Sequence, residues 1–367
     1  CHGGTQGMTT RSLDQLRDEL KRLDGEIVRM LNERAALSII IGRVKEERGL
    51  DIYDAAQEAK IFDSLREING GPLGEAFLKA IFREIISASR ALQKPFKVAC
   101  LGPEASFCHL AAQSHFGKST GFIPLSTVFN VFEAVERGKV QWGVVPVENS
   151  LEGSVNLTLD RLILTPLRIC GEIYLRISHC LLSSRDDMKG ITQVYSHPQA
   201  LAQCQGWLRR HLPRASLIEV ESTAAAAQMI RNESSSGAIG SCLAATTYHL
   251  NVLAESIEDH PSNTTRFLII GKDHRGITGR DKTAILFGTP HNPGALYHAL
   301  KPFAEREINL MKIESHPVKE RLWEYLFFVD FAGHIEEEAI RECMEDLKKE
   351  TTFLKILGSY PKGEVSM

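Results

Sequence analysis

The chain has 367 residues, 43% hydrophobic and 24% charged, which is room for two or three domains of about 150 residues. These are the proportions of ordinary globular protein and exclude collagen, a coiled-coil rod or a largely disordered chain. A formal net charge of −3 gives no bulk attraction to nucleic acid or anionic lipid, and no apolar run reaches the ~18 residues of a membrane span, so neither is an expected partner. The eight cysteines are sparse and form no C-x-x-C pair. That predicts neither a disulfide frame nor a zinc site, and a reducing cytoplasm. No secretory h-region is read near the amino terminus, and residues 1–7 carry no structural pattern and are set aside.

Residues 12–93 show helical periodicity without strands, and 97–272 alternate β-rich and helical runs. Residues 281–360 read strand, helix, strand, strand, helix, strand. Breaks at 93–97 and 271–276 set expected domains at 8–95, 97–272 and 281–362. The first helix opens on a capping box, Ser12-Leu13-Asp14-Gln15. Its apolar seam runs Leu13, Leu16, Leu20, Leu23, Ile27, Met30, Leu37, Ile41, Val44, with Arg34 set into it. At 100° per residue Lys45 lies about 20° round from Arg34, three turns on. An arginine there either pairs with a carboxylate or meets an anion. Asp54 opens a second helix with Glu58 one turn on, and a third carries Phe77, Ile81, Phe82 and Ile85 before Ser89 and Gln93. Each helix offers polar groups on an apolar face, and a first helix of about 30 residues packs poorly alone. A dimer that shares helices around a polar pocket is expected.

Arg17, Arg34, Lys45, Asp54, Glu58, Ser89 and Gln93, at these spacings, resemble the all-helical chorismate mutases. The resemblance implies a dimer in which Arg17 crosses to the other chain's site and Arg34 holds the second carboxylate of chorismate. It places Lys45 and Gln93 at the ether oxygen, and Asp54, Glu58 and Ser89 at the hydroxyl and a carboxylate. The rearrangement to prephenate needs no proton transfer, so holding the compact conformer and stabilising charge on the ether oxygen suffice.

In the middle region strands end in polar residues. Strands are expected at 98–102, 122–125, 142–150, 173–182, 193–195, 217–220, 238–240 and 266–270. Ligands of open α/β sheets bind at such carboxyl ends, which singles out Ser106, Glu148-Asn149-Ser150, Ser196-His197, Ser222-Thr223 and Gly240-Ser241. No dinucleotide or phosphate loop and no G-x-S-x-G is present. Cys108, His109 and His197 taken singly read as structural. The segments Val144–Val155, Asn263-Thr264-Thr265-Arg266-Phe267, Gly102–Phe107 and Tyr195–Ala200 resemble the motifs of prephenate dehydratases. That family implies two α/β lobes like those of periplasmic binding proteins, with the site in the cleft. It makes Thr265 the group that assists loss of hydroxide and sets Arg266 at a carboxylate. Asn149, Ser106, Ser222 and Thr223 are then the positioning residues.

The last region has the ferredoxin-like βαββαβ order. With Asn292-Pro293-Gly294-Ala295-Leu296 and Glu314-Ser315-His316-Pro317 it resembles the amino-acid-sensing ACT domain. This implies that phenylalanine binds at Asn292, Gly294, Ala295, Leu296, Glu314 and Ser315. The expected architecture is thus multidomain: all-α, two-lobed α/β, and α+β. The expected function is a bifunctional chorismate mutase–prephenate dehydratase taking chorismate through prephenate to phenylpyruvate, with phenylalanine as inhibitor. It acts as a homodimer or higher homo-oligomer and needs no metal or other cofactor. Two other readings stay open on residues alone: a dehydratase whose helical part is only a dimerisation module, and a non-catalytic small-molecule sensor.

Overall fold

The computed structural model describes residues 12–272, 276–317, 325–363 and 365–366; residues 1–7, the domain start at residue 8 and part of the break at 271–276 lie outside them. Three helices come first: α1 (Leu13–Glu47), α2 (Ala55–Ile68) and α3 (Glu75–Gln93). The capping box forms, with Ser12 Oγ accepting from Gln15 N and the Gln15 side chain accepting from Ser12 N. Only Ser38 and Gly42 of α1 are buried, so its apolar seam from Leu13 to Val44 lies open on the single chain.

The first α/β lobe contains β1 (Lys97–Leu101), α4 (Phe107–Phe116), β2 (Gly121–Leu125), α5 (Val128–Glu136), β3 (Trp142–Asn149), β4 (Gly153–Ser154), α6 (Asn156–Leu164) and β5 (Arg168–Arg176). The second contains β6 (Cys180–Ser183), β7 (Gln193–Ser196), α7 (Pro198–Gln203), α8 (Gln205–His211), β8 (Ser216–Glu219), α9 (Thr223–Met229), β9 (Ser236–Gly240), α10 (Cys242–Tyr248) and β10 (Asn251–Ala254). The chain then returns to the first lobe as β11 (Thr264–Gly271), antiparallel to both β3 and β5. The run expected as one strand over 173–182 is therefore two strands in two sheets, broken at 177–179 where the chain crosses between lobes. The expectation of no disulfide is also corrected. Cys180 pairs with Gly240 across β6 and β9, which brings Cys242 to it, and the two form a disulfide with 5.9 Å between Cα atoms. Sixty-two residues separate them, beyond any local spacing rule. The remaining described cysteines are free and buried.

The last region runs β12 (Asp281–Gly288), α11 (Ala295–Glu305), β13 (Leu310–Pro317), β14 (Tyr325–Ala332), α12 (Glu338–Lys349), β15 (Phe353–Pro361) and β16 (Val365–Ser366). Its sheet order is β13-β14-β12-β15, and β16 pairs instead with β5 of the first lobe. One face packs Ile285, Phe287, Phe331 and Val329 against Phe303 and Leu347 of the helices. Ala284, Leu286, Phe328, Leu357 and Tyr360 share a core with Val145, Leu162, Ile169 and Leu268 of the first lobe. The third region is thus built onto the second through apolar side chains.

Candidate active sites and regulatory region

In the helical region Arg34 donates to Ser89 Oγ at 2.6 Å, and Ser89 donates to Ile85 O at 2.7 Å. Further along α1, a Cβ added to Gly42 would lie 2.8 Å from Gln93 Cβ and Cγ, so the two helices meet there. Gln93 Oε1 is buried without a hydrogen bond among the described residues. Lys45 Nζ, three residues past Gly42, donates to Ile52 O at 3.0 Å. Arg34, Lys45, Ser89 and Gln93 therefore gather along one seam, and Asp54 caps α2 through Gln57 N at 3.0 Å. Arg17 does not join them: it lies about 26 Å from Arg34 along the same helix and pairs with Asp14, exposed.

Glu58 departs from expectation. Arg90, which the sequence reading passed over, takes it at 3.0 Å. Arg90 is 4% exposed, also donates to Phe116 O, and lies over the rings of Tyr53, Phe96 and Phe116. Tyr53 in turn meets His115 Nε2 at 2.7 Å. Glu58 thus belongs to the joint between the helices and the first lobe, where a guanidinium satisfies its charge, and not to a pocket of free carboxylates. A buried arginine on the inner face of α3 was visible as a charged residue in an apolar run, but its partners lie 26 and 32 residues away.

In the two-lobed region Thr265 sits opposite Asn149 on β11 and β3. Asn149 Nδ2 donates to Thr265 Oγ1 and to Asn263 Oδ1, both at 2.8 Å. The amide orientation follows from the backbone. The N–H groups of Leu151 and Glu152 can only donate, and they meet Asn149 Oδ1 at 3.0 and 3.3 Å, so its NH2 must face Thr265. Asn263 then donates to Gln203 Oε1 at 3.0 Å. His179 Nε2 meets that same oxygen at 3.1 Å, so its proton is on that nitrogen. Burial lowers the His179 pKa, against the Gln203 bond and nearby Glu258, and the ring stays neutral. Thr265 Oγ1 already accepts, and its own proton has no acceptor among the described residues. The chain of amides leaves a buried hydroxyl proton to give away. Gln203 and His179 were not candidates from the sequence: Gln203 lies just past the Tyr195–Ala200 motif, and no periodicity marks a histidine at a lobe crossing.

Ser106, Ser222 and Thr223 lie at strand ends as expected, but the two serines are helix caps. Ser106 Oγ donates to Leu101 O at 2.7 Å and accepts from His109 N at 3.2 Å, so its hydrogen-bonding capacity goes to the backbone. Ser222 accepts from Ala225 N at 3.0 Å, with Thr223 the first residue of α9. His109, Cys108 and His197 are structural: His109 Nδ1 accepts from Ala105 N, Cys108 donates to Val144 O, and His197 caps α7.

Arg266 is the main correction. It is 6% exposed and turns away from Thr265, since neighbours on a strand face opposite sides. Its guanidinium meets Glu172 at 2.8 Å, Asp330 at 2.6 Å and Tyr360 OH at 3.0 Å. Burial alone would lower its pKa, but Tyr360, Asp330 and Glu172 outweigh it and hold the charge. Lys282 joins the same Glu172 at 2.9 Å. The guanidinium is thus committed to protein partners on the face opposite Thr265.

In the third region Gly294 precedes α11 at φ 82°, the left-handed turn that glycine adopts without strain. Glu314 on edge strand β13 meets Lys312 at 2.9 Å, and His316 Nε2 meets Asp160 of α6 at 2.7 Å.

These features define a class: an enzyme that joins a helical site and a bilobed site to a ligand-sensing α+β region. Comparison with known proteins gives the same order. The chain matches the family descriptions "Chorismate mutase type II" over residues 16–94, "Prephenate dehydratase" over 98–275 and "ACT domain" over 283–349. It is 48% identical to the bifunctional chorismate mutase/prephenate dehydratase of Aquifex aeolicus (strain VF5), over 96% of this chain and 98% of that one. It is 42% identical to the enzyme of the same name from Pseudomonas aeruginosa, with the same coverage of each chain. A crystal structure of prephenate dehydratase in complex with L-Phe from Arthrobacter aurescens is 33% identical, with TM-score 0.68 over 74% of this chain and 91% of that one. The chain belongs to the bifunctional chorismate mutase/prephenate dehydratases. It carries both the isomerase and the lyase. No helix among the described residues is long and apolar enough to cross a membrane.

Proposed function

We propose that two copies of this chain interlock through α1 to convert chorismate to prephenate, and that the cleft of each then converts prephenate to phenylpyruvate under inhibition by phenylalanine. The mutase part divides from the dehydratase near residue 95, and the ACT part begins near 281. In the mutase site Arg34 binds one carboxylate and Arg17 of the second copy the other, each able to bind two oxygens at once. Lys45 and the Gln93 NH2 group donate to the ether oxygen, and Asp54 and Ser89 complete the polar lining. The distance between Arg17 and Arg34 on one helix, together with the open apolar seam of α1, supports the shared site.

In the dehydratase site the bond from the ring to its carboxylate breaks and carbon dioxide leaves. The released electron pair enters the ring and completes its aromaticity as the ring hydroxyl is expelled. Hydroxide is a poor leaving group at neutral pH, so a donated hydrogen bond or proton is required. Thr265 supplies it, because Asn149 occupies its oxygen as an acceptor and leaves its proton free. That polarity is the observation that carries the reading. Thr223 and the Ser222 hydroxyl proton line the second lobe's side. Phenylalanine binds at Asn292, Gly294–Leu296, Glu314 and Ser315, between two copies whose β13 edges lie together; the L-Phe complex of the relative supports the ligand. We place the enzyme in the cytoplasm, a compartment that suits the five free buried thiols among the described residues, the Cys180–Cys242 disulfide notwithstanding.

The test follows both products in time, with chorismate and prephenate supplied separately. Turnover of prephenate alone would reduce the helices to a dimerisation module, and binding without turnover would leave a sensor. Phenylpyruvate from both substrates, with prephenate as intermediate, is the expected result.

A further inference from the structure

We propose that the ACT sheet is the back wall of the dehydratase site, and that Arg266, Glu148 and Lys312 are positioning residues through which it sets the Thr265–Asn149 pair. The inference rests on the reading of Thr265 as the donating hydroxyl. Two neighbouring rungs join β3 and β11: Thr265 opposite Asn149, and Arg266 opposite Glu148. Alternation turns the first rung toward Asn263 and Gln203 and the second toward the ACT sheet. A bulge between Arg266 and Phe267 keeps Glu148 on that second face, the kind of irregularity that re-aims a side chain beside a site.

Three of the four ACT strands then give a polar side chain to this second rung, and the fourth reaches Glu172 beside it. Lys282 of β12 meets Glu172 at 2.9 Å, beside Arg266. Lys312 of β13 meets Glu148 at 3.0 Å. Asp330 of β14 meets Arg266 at 2.6 Å, and Tyr360 of β15 accepts from it at 3.0 Å. Arg266, Glu172 and Lys282 have side chains 7%, 0% and 4% exposed, so water does not loosen the contacts among them, while Lys312 and Glu148 are partly exposed at 20% and 36%. Lys312 is the shared member: it also meets Glu314 at 2.9 Å and Ser154 Oγ at 3.3 Å. One ammonium thus lies between Glu148, next to Asn149, and Glu314, on the strand that receives phenylalanine in the reading above. A ligand ammonium that engages Glu314 changes the share of Lys312 left for Glu148, and so the setting of the rung that holds Asn149 and Thr265.

The experiment uses the full chain and reads kcat and KM for prephenate, inhibition by phenylalanine, phenylalanine binding by calorimetry, and chorismate turnover. The variants are Lys312→Met, Lys312→Arg and the charge-balanced pair Lys282→Met with Asp330→Asn. Lys312→Met and the pair are expected to lower kcat about tenfold with KM held within about twofold. They are also expected to blunt inhibition while phenylalanine still binds, with chorismate turnover unchanged and Lys312→Arg restoring most of the rate. Unchanged kcat and inhibition in both would overturn the proposal. So would a loss that Lys312→Arg does not recover, or one matched by chorismate turnover. Thr265→Ala, run alongside, separates the two ideas: if it keeps its rate the hydroxyl reading fails, while the blunting of inhibition still judges the back wall.

Discussion

Thr265 and Asn149 are one chemical unit, and each half predicts a different failure. Thr265→Ala removes the donor, and loss of one such donor typically costs about 10²–10³ in kcat. Prephenate should then accumulate from chorismate while phenylpyruvate does not form; Thr265→Ser should keep part of the rate, because the hydroxyl survives. Serine as poor as alanine would assign the effect to methyl packing. Asn149→Asp is the sharper probe, since a carboxylate can only accept and would draw the Thr265 proton away from the substrate. We expect a loss of about 10²-fold at neutral pH. The rate should recover as pH falls toward the ordinary carboxylate pKa of about 4 and the acid regains a donor. A pH profile of kcat parallel to wild type would contradict the orientation derived for the amide chain. In the helical region Arg34→Ala should abolish chorismate turnover and leave prephenate dehydration nearly intact, measured as two separate rates.

At the scale of elements two close approaches carry the architecture. Gly42 lets α1 lie on Gln93 of α3, and Gly358 lets β15 cross β5, where an added Cβ would collide with the Ile169 backbone. Gly42→Ala has a side chain to push aside, whereas Gly358→Ala has peptide atoms that cannot move without parting the sheets. The first should therefore lower chorismate turnover alone. The second should lower stability by more than the roughly 1 kcal/mol typical of a point mutation and weaken dehydration and phenylalanine inhibition together. Thermal melts with both activity assays distinguish the two. A Gly358→Ala chain that melts and reacts like wild type would mean that the interface between β5 and β15 is not tight.

The whole molecule is completed by its copy. If Arg17 serves the other chain, Arg17→Ala and Arg34→Ala should each be inactive as mutases, yet a mixture should recover activity. Half of randomly paired dimers are mixed, and each mixed dimer has one site with both arginines, so about one quarter of the wild-type rate should return on mixing. No recovery after confirmed subunit exchange would put Arg17 outside the site. Phenylalanine should act on dehydration, because its region is packed into the first lobe's core, whereas its Arg280–Asp63 pair with the helices lies on the surface. Equal inhibition of both activities would contradict that layout.

Local rules read much of this protein directly. The capping box and seam of α1, the polar strand ends from Ser106 to Ser241 and the βαββαβ order of the last region all follow from neighbours within a few residues, where periodicity and hydrogen-bond geometry act. The motifs that hold Thr265 and Asn149 also marked both, from the sequence, as candidates for one site. Only the tertiary structure decided what each polar group touches. Arg266, read as a substrate ligand, is turned by strand alternation into a buried network with Glu172, Asp330 and Tyr360, far from it in sequence. Glu58 is claimed by Arg90, the run at 173–182 is cut by a lobe crossing, and Cys180 finds Cys242 through sheet pairing. His179 and Gln203 enter the site only because two crossings between lobes meet there. A charge or an amide must be satisfied wherever it is buried, but which partner satisfies it is fixed by register and packing between distant segments, and no local pattern encodes that choice.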